Sequence, residues 1–146
     1  MMKHHRKLSS ILLIVFLFSI SPVANAQFSG YYIAKAAQKA KRINIGKALY
    51  SSCSSCHLIN KNGTGPGLQR IRDYRTPEWI YAFVKNPPLF ISQNPEAKIL
   101  QQEYGSMMPL YPSLTKYDLE AILDYLDSLP YDSNAYGYRR NMKKIR

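Results

Sequence analysis

The chain has 146 residues, and removal of a 26-residue leader leaves 120, the size of one ordinary domain, which excludes a multidomain enzyme. Hydrophobic residues make up 46% and charged residues 20%, close to the globular average, so neither a disordered chain nor a polytopic membrane protein fits. The formal charge is +11, of which Lys3, Arg6 and Lys7 lie in the leader, so the mature chain carries +8.

Residues 1–26 read as a secretory signal peptide: a basic stretch, an apolar run from Ile11 to Ile20, and small residues closing at Ala24-Asn25-Ala26, with cleavage expected before Gln27. An uncleaved anchor is the alternative, because Leu8 to Ala24 approaches the roughly 17 to 25 apolar residues that span a bilayer. Pro22 and the small-x-small site favour cleavage. The absence of a cysteine after the run argues against a lipoprotein. The protein is therefore expected to be exported and periplasmic, and membrane-anchored if the leader is retained.

Residues 27–43 form a basic extension, in which the Ala-rich run from Tyr31 to Arg42, free of Pro and Gly, predicts a short exposed helix. Asn44 is placed to cap a second helix, where Gly46, Leu49, Tyr50 and Cys53 recur at three- and four-residue intervals. Asn62-Gly63-Thr64-Gly65-Pro66-Gly67 breaks regular structure and predicts a loop. Thr76-Pro77-Glu78 starts a third helix with Trp79, Ile80, Phe83 and Val84 on one face, ending before Pro87-Pro88. Asn94-Pro95-Glu96 repeats that start for a short helix through Ala97, Ile99 and Leu100, stopping near Gly105. The last helix opens at Thr115-Lys116-Tyr117-Asp118, a capping box with Asp for Glu, and Leu114 can staple onto Leu119. Leu119, Ile122, Leu123, Leu126 and Leu129 follow the helical pattern to Pro130. No strand alternation of useful length appears, so the domain over 44–130 is all-α, and residues 131–146 read as a solvated basic tail.

Cys53 and Cys56 lie three apart, and a disulfide across so short a loop would stabilise weakly. Cys53-Ser54-Ser55-Cys56-His57 is instead the c-type haem attachment pattern. Two thiols at that spacing can each add to a vinyl group on one edge of a porphyrin, and the adjacent His57 then supplies an axial bond to the iron. Zinc would need two further Cys or His ligands, and no histidine follows His57. A thioredoxin-like pair expects a βαβ setting that the chain lacks. Met107 and Met108, the latter followed by Pro109, are the candidates for a sixth ligand ahead of the late Met142. A thioether favours ferrous iron and raises the potential. Packing is the alternative role for either methionine.

With these residues the chain resembles a small single-haem class I cytochrome c of bacterial respiratory chains. The likeness covers about Asn44 to Leu129, through GKALY, CSSCH, GTGPGL, TPEWIYAFVKNP and MMPLYPSLTKYDLEAILDYL. It implies three to five helices wrapped around one covalent haem c. It assigns the distal ligand to Met108, with Met107 as the alternative. Gly65-Pro66-Gly67-Leu68 matches a segment whose proline carbonyl accepts a hydrogen bond from the proximal His while the leucine lines the haem. On the residues alone, Pro66 would only stiffen the loop. Trp79 matches a position near the haem propionates, and a core aromatic is its other reading. The family's crossing of first and last helices through a Gly and two aromatics would fall on Gly46, Tyr50 and Tyr125. Here Tyr50 to Cys53 spans three residues where four is usual.

The resemblance implies a one-electron carrier between a quinol-oxidising complex and a terminal oxidase or reductase, not an enzyme. Two alternatives are a cytochrome subunit anchored in a membrane complex and a sensor or catalytic haem with an open distal site. Lys35, Lys39, Lys41, Arg42 and Lys47 before the motif, and Arg70, Arg72 and Arg75 after it, suggest a basic surface steered to acidic docks on redox partners. The tail charges suit peripheral contact with anionic lipid. Nucleic acid is not an expected partner for an exported protein.

Overall fold

A computed structural model describes residues 21–132, with side chains from residue 29 onward. The apolar run of the expected signal peptide and the tail from residue 133, with Met142, lie outside the described residues. The chain divides into two units, Met1–Ala40 and Lys41–Arg146. Helix α1 (Ser21–Tyr50) is one uninterrupted helix, so the expected break between a short extension helix and a second helix capped by Asn44 is corrected. Nothing between Tyr31 and Tyr50 forces an end: no proline is present, and the lone Gly46 costs only about 1 kcal/mol of helix propensity.

The second unit is built by caps that the sequence spells out. Thr76 Oγ accepts the Trp79 amide at 3.2 Å and starts α2 (Pro77–Lys85). Pro87 then occupies the first position of another helix, α3 (Pro87–Gln93), because Asn86 Oδ1 accepts the Leu89 amide at 3.2 Å. The sequence does not predict this helix, since Pro87-Pro88 reads as a stop, although Asn86-Pro87 carries the same cap-then-proline signal as its neighbours. Asn94 caps α4 (Pro95–Tyr104) through the Ala97 amide at 3.0 Å. Gly105 ends it at φ 66°, a left-handed conformation that suits glycine. The capping box of α5 (Lys116–Ser128) is complete: Thr115 Oγ1 accepts the Asp118 amide at 3.1 Å, and Asp118 accepts the Thr115 amide at 2.9 Å. A single 3-10 turn spans Ile71–Asp73, and no strand occurs among the described residues.

Tyr50, Ile71, Tyr74, Leu100, Leu119, Ile122, Leu123 and Leu126 form the buried core. Helices α1 and α5 meet at Gly46, where an added Cβ would lie 1.8 Å from the Ala121 carbonyl oxygen. One turn on, the Tyr50 and Tyr125 rings pack with centroids 5.7 Å apart. The expected crossing is therefore present despite the short Tyr50–Cys53 spacing. Helix α1 stops at Tyr50, and a tight turn with Cys53 and Ser54 amides bonded to the Tyr50 carbonyl absorbs the difference.

Arg72 bonds Asp124 at 3.0 Å and also reaches Asp127 and Glu120, while Arg42 pairs with the far oxygen of Asp124. Arg70 pairs with Asp73 at 2.8 Å and Arg75 with Glu96 at 3.1 Å. The three arginines after the Cys pair are thus engaged in ion pairs, which corrects the expectation that they form a basic steering surface. The chain past α5 returns to the loop region: Gln69 donates to the Pro130 carbonyl at 2.7 Å, Asn60 to Asp132 at 3.0 Å, and Arg70 lies 5.2 Å from the Tyr131 ring centroid.

Candidate functional site

The turn after α1 presents Cys53 and Cys56, both free thiols and both half-buried, with His57 directly after them. Burial pushes the Cys53 thiol up, and contact with Ser52 Oγ partly opposes this. The His57 Nδ1–H donates to the Pro66 carbonyl at 2.9 Å. That bond leaves Nε2 as the ring nitrogen available to a metal, and it fixes the ring plane. Burial holds the imidazole below its ordinary pKa, with the Pro66 bond acting against it, which favours the neutral form that can ligate. Gly65 explains how the loop comes so close, because a Cβ there would stand 2.5 Å from His57 Cε1. Tyr50, buried under the turn, donates its hydroxyl to the His57 carbonyl. Its pKa is pushed up to about 12, first by burial and then by the neighbouring Cys53 and Tyr125.

The two thiols, His57, Gly65 and Pro66 border a cavity of about 240 Å³. Leu49, Ile80, Phe83, Leu100 and Leu123 give it apolar walls, and Cys53, Cys56, His57, Pro66, Leu68, Trp79, Met107 and Met108 all line it. Every site residue expected from the sequence therefore meets in one place. The two methionines differ: Met107 is 49% exposed, whereas Met108 is partly buried. Trp79 stacks with Phe83 at 5.5 Å and carries the Arg75 guanidinium 5.0 Å from its ring. Its Nε1 is buried and has no hydrogen-bond partner.

Sequence reasoning missed the ties that hold the methionine loop. Ser106 Oγ donates to the Thr64 carbonyl at 3.0 Å, and the Tyr111 hydroxyl donates to the Ser52 carbonyl at 3.2 Å. They flank Met107 and Met108 and join them to both sides of the His57 segment. Lys85 secures the end of the loop through the Pro112 carbonyl and, at 3.3 Å, that of Leu114. Hydroxyls bonded to carbonyls 42 and 59 residues away leave no periodic mark in a sequence.

The site suits a covalently held metalloporphyrin. Two free thiols and one tethered imidazole border the same apolar space, and a buried indole N–H awaits an acceptor such as a propionate. No group of three or more His, Cys, Asp or Glu side chains that could hold a bare metal ion occurs among the described residues.

Comparisons with known proteins agree with this chemistry. The family model described as cytochrome c matches residues 43–130. Cytochrome c from Rhodothermus marinus is similar in structure, with a TM-score of 0.55 and 34% identity over 60% of this chain and 75% of that one. An engineered cytochrome c from the same organism gives 0.53 and 33%, covering 60% and 76%. Among curated proteins, cytochrome c oxidase subunit 2 of Alkalihalophilus pseudofirmus is 31% identical over 91 residues, 59% of this chain. The chain spans about a quarter of that relative's length.

Proposed function

The chain belongs to the cytochrome c family, and from that membership we propose that it is an exported, periplasmic one-electron carrier of a respiratory chain, in which His57 and Met108 would ligate the haem iron. It carries one covalent haem c, and its chemistry is haem-based electron transfer. When bound, the haem supplies an iron that cycles between ferric and ferrous states. Cys53 and Cys56 would hold it as thioethers, which would prevent its loss outside the cell membrane. His57, oriented through Pro66, would supply one bond to the iron. Met108 would supply the other, and a soft thioether raises the potential. Leu68 and the apolar walls exclude water, and Trp79 Nε1 is positioned to donate to a propionate.

The observation that carries this reading is the 2.9 Å His57–Pro66 bond beside two free thiols and a half-buried methionine in one cavity. No histidine besides His57 follows the leader, so none is left to act as a general base. The match to a segment within an oxidase subunit of another organism supports a terminal oxidase as electron acceptor and a quinol-oxidising complex as donor. Expression in a host with haem-attachment machinery tests the reading. The mature protein should exceed its polypeptide mass by one haem that acid-acetone fails to extract. An unmodified mass would remove the basis for the proposal.

A further inference from the structure

The segment that carries Met107 and Met108 is held at its two ends and not between them. From Gly105, which closes α4, to Thr115, which caps α5, the chain forms no helix or strand. Among the described residues, no main-chain hydrogen bond engages residues 107–110. Lys85 fixes the far end through the carbonyls of Pro112 and Leu114, and the Leu114 amide turns back onto the Tyr111 carbonyl at 3.1 Å. The place of Met107, Met108 and Pro109 along the cavity therefore depends on residues 106 and 111.

Both of those residues reach across to the frame that carries His57. Ser106 Oγ donates to the Thr64 carbonyl at 3.0 Å and lies 3.5 Å from the Tyr104 carbonyl of its own segment. The Tyr111 hydroxyl donates to the Ser52 carbonyl at 3.2 Å. All four tied residues line the cavity, and Ser52, Thr64 and Ser106 are exposed, so the ties lie at its rim. Ser52 and Thr64 stand on either side of His57 in the chain, yet one network holds both. The Cys53 amide bonds the Tyr50 carbonyl at 2.9 Å, and the Gly65 amide bonds the Cys56 carbonyl at 3.0 Å. The two ties thus join the His57 segment to the Met108 segment directly, without passing through the core.

A thioether is a soft donor and ferric iron is the harder of its two states, so a methionine would be held least firmly there. A span with no hydrogen bonds of its own opens as a local unit, at a free energy set by the bonds broken at its ends. The geometry points to Ser106 and Tyr111 as positioning residues that keep Met108 at the cavity and so close the distal position to small nitrogen-donor ligands. This rests on the proposed ligation by His57 and Met108, and it adds what separates a closed carrier from an open, ligand-binding haem. Neither hydroxyl would touch the iron, since each acts through the loop.

Imidazole is the probe, titrated into the haem-loaded ferric protein while the red charge-transfer band expected of His–Met iron is followed. Its apparent affinity rises in proportion to the fraction of molecules with the loop open. One neutral hydrogen bond of ordinary strength is worth about fivefold in that fraction, so Ser106→Ala and Tyr111→Phe should each tighten binding about fivefold, and the double variant about 25-fold. Without imidazole the single variants should still show the band. Ser106→Thr keeps the hydroxyl and should return the parental affinity. Ser128→Ala removes a hydroxyl bond to the Tyr125 carbonyl within α5, away from the cavity, and should leave the affinity unchanged. Parental imidazole affinity in the double variant would overturn the proposal and leave the ligation standing. So would equal tightening by Ser128→Ala, which would make the effect one of general stability. A parent protein without the band would overturn ligation by Met108 and this proposal with it.

Discussion

Met107 and Met108 offer the same thioether one residue apart, and the fold separates them by exposure. Met107 is half open to solvent, whereas Met108 is partly buried and precedes Pro109, with hydroxyl ties at Ser106 and Tyr111 on either side. Met108→Ala should therefore abolish the weak red charge-transfer band expected of ferric His–Met iron and lower the potential, because a replacement ligand such as water or hydroxide stabilises ferric iron more than a thioether does. Met107→Ala should leave the band in place and shift stability by less than about 0.5 kcal/mol, as for other surface changes. Optical spectra and urea unfolding of the two variants check both outcomes, and the reverse pattern would move the ligand by one residue. At this scale the attachment motif was legible because thiol spacing and chemistry are strictly linked. Pro66 was legible only through resemblance, since a carbonyl that orients a histidine is indistinguishable in sequence from a loop stiffener. The Tyr50 and Tyr111 hydroxyl bonds left no signal at all, as their acceptors are backbone atoms of another segment.

Among elements, the helix starts were the most legible feature, because a capping side chain followed by proline is a local code that long-range packing rarely overrides. Thr76-Pro77 and Asn94-Pro95 carry it openly, and Asn86-Pro87 carries the same code behind a second proline. The α1–α5 crossing depends on Gly46. A methyl group there meets the Ala121 carbonyl, which is backbone and cannot swing aside, so Gly46→Ala should destabilise by about 1–3 kcal/mol despite its better helix propensity. A chemical denaturation midpoint no lower than that of the parent would show that the helices can separate freely. The cap of α5 gives a pH-dependent counterpart. Hydrogen bonds from Thr115 hold the Asp118 carboxyl below its ordinary value, so its contribution is present above the unfolded carboxylate pKa and is lost as pH falls through the lower folded one. Asp118 is only partly buried at the helix start and solvent screens its charge, so the loss is small. Asp118→Asn keeps an acceptor and removes the titration. Its melting temperature relative to the parent should rise as pH drops through the acidic range, and an unchanged difference would exclude Asp118 as the titrating group.

For the whole molecule, net charge read from the full sequence concealed its distribution. An excess of +11, or +8 over residues 27–146, suggests a basic redox protein, yet residues 43–130 carry eight basic and eight acidic side chains and the arginines after the Cys pair are bound in ion pairs. Sequence alone could count these charges but could not show which were compensated, because the partners of Arg72 lie about fifty residues away on α5. The consequence falls on electron-transfer kinetics. Attraction between separated charges is screened over about 8 Å at physiological salt, and the net charge lies in residues 27–42 and 131–146, so long-range steering is expected from those two arms. Reduction by a membrane-bound quinol-oxidising complex should slow as salt rises in the parent protein. In a variant combining Lys35→Gln and Lys39→Gln with an end at Asp132, the rate should already be low at low salt and should vary little. Ending the chain there, and not at Pro130, keeps the Asn60–Asp132 and Arg70–Tyr131 contacts, so the variant isolates charge from packing. Stopped-flow rates across a salt series provide the measurement. A variant that retained the parent's full salt dependence would place the steering on lysines of the neutral domain, acting as a local patch without net charge.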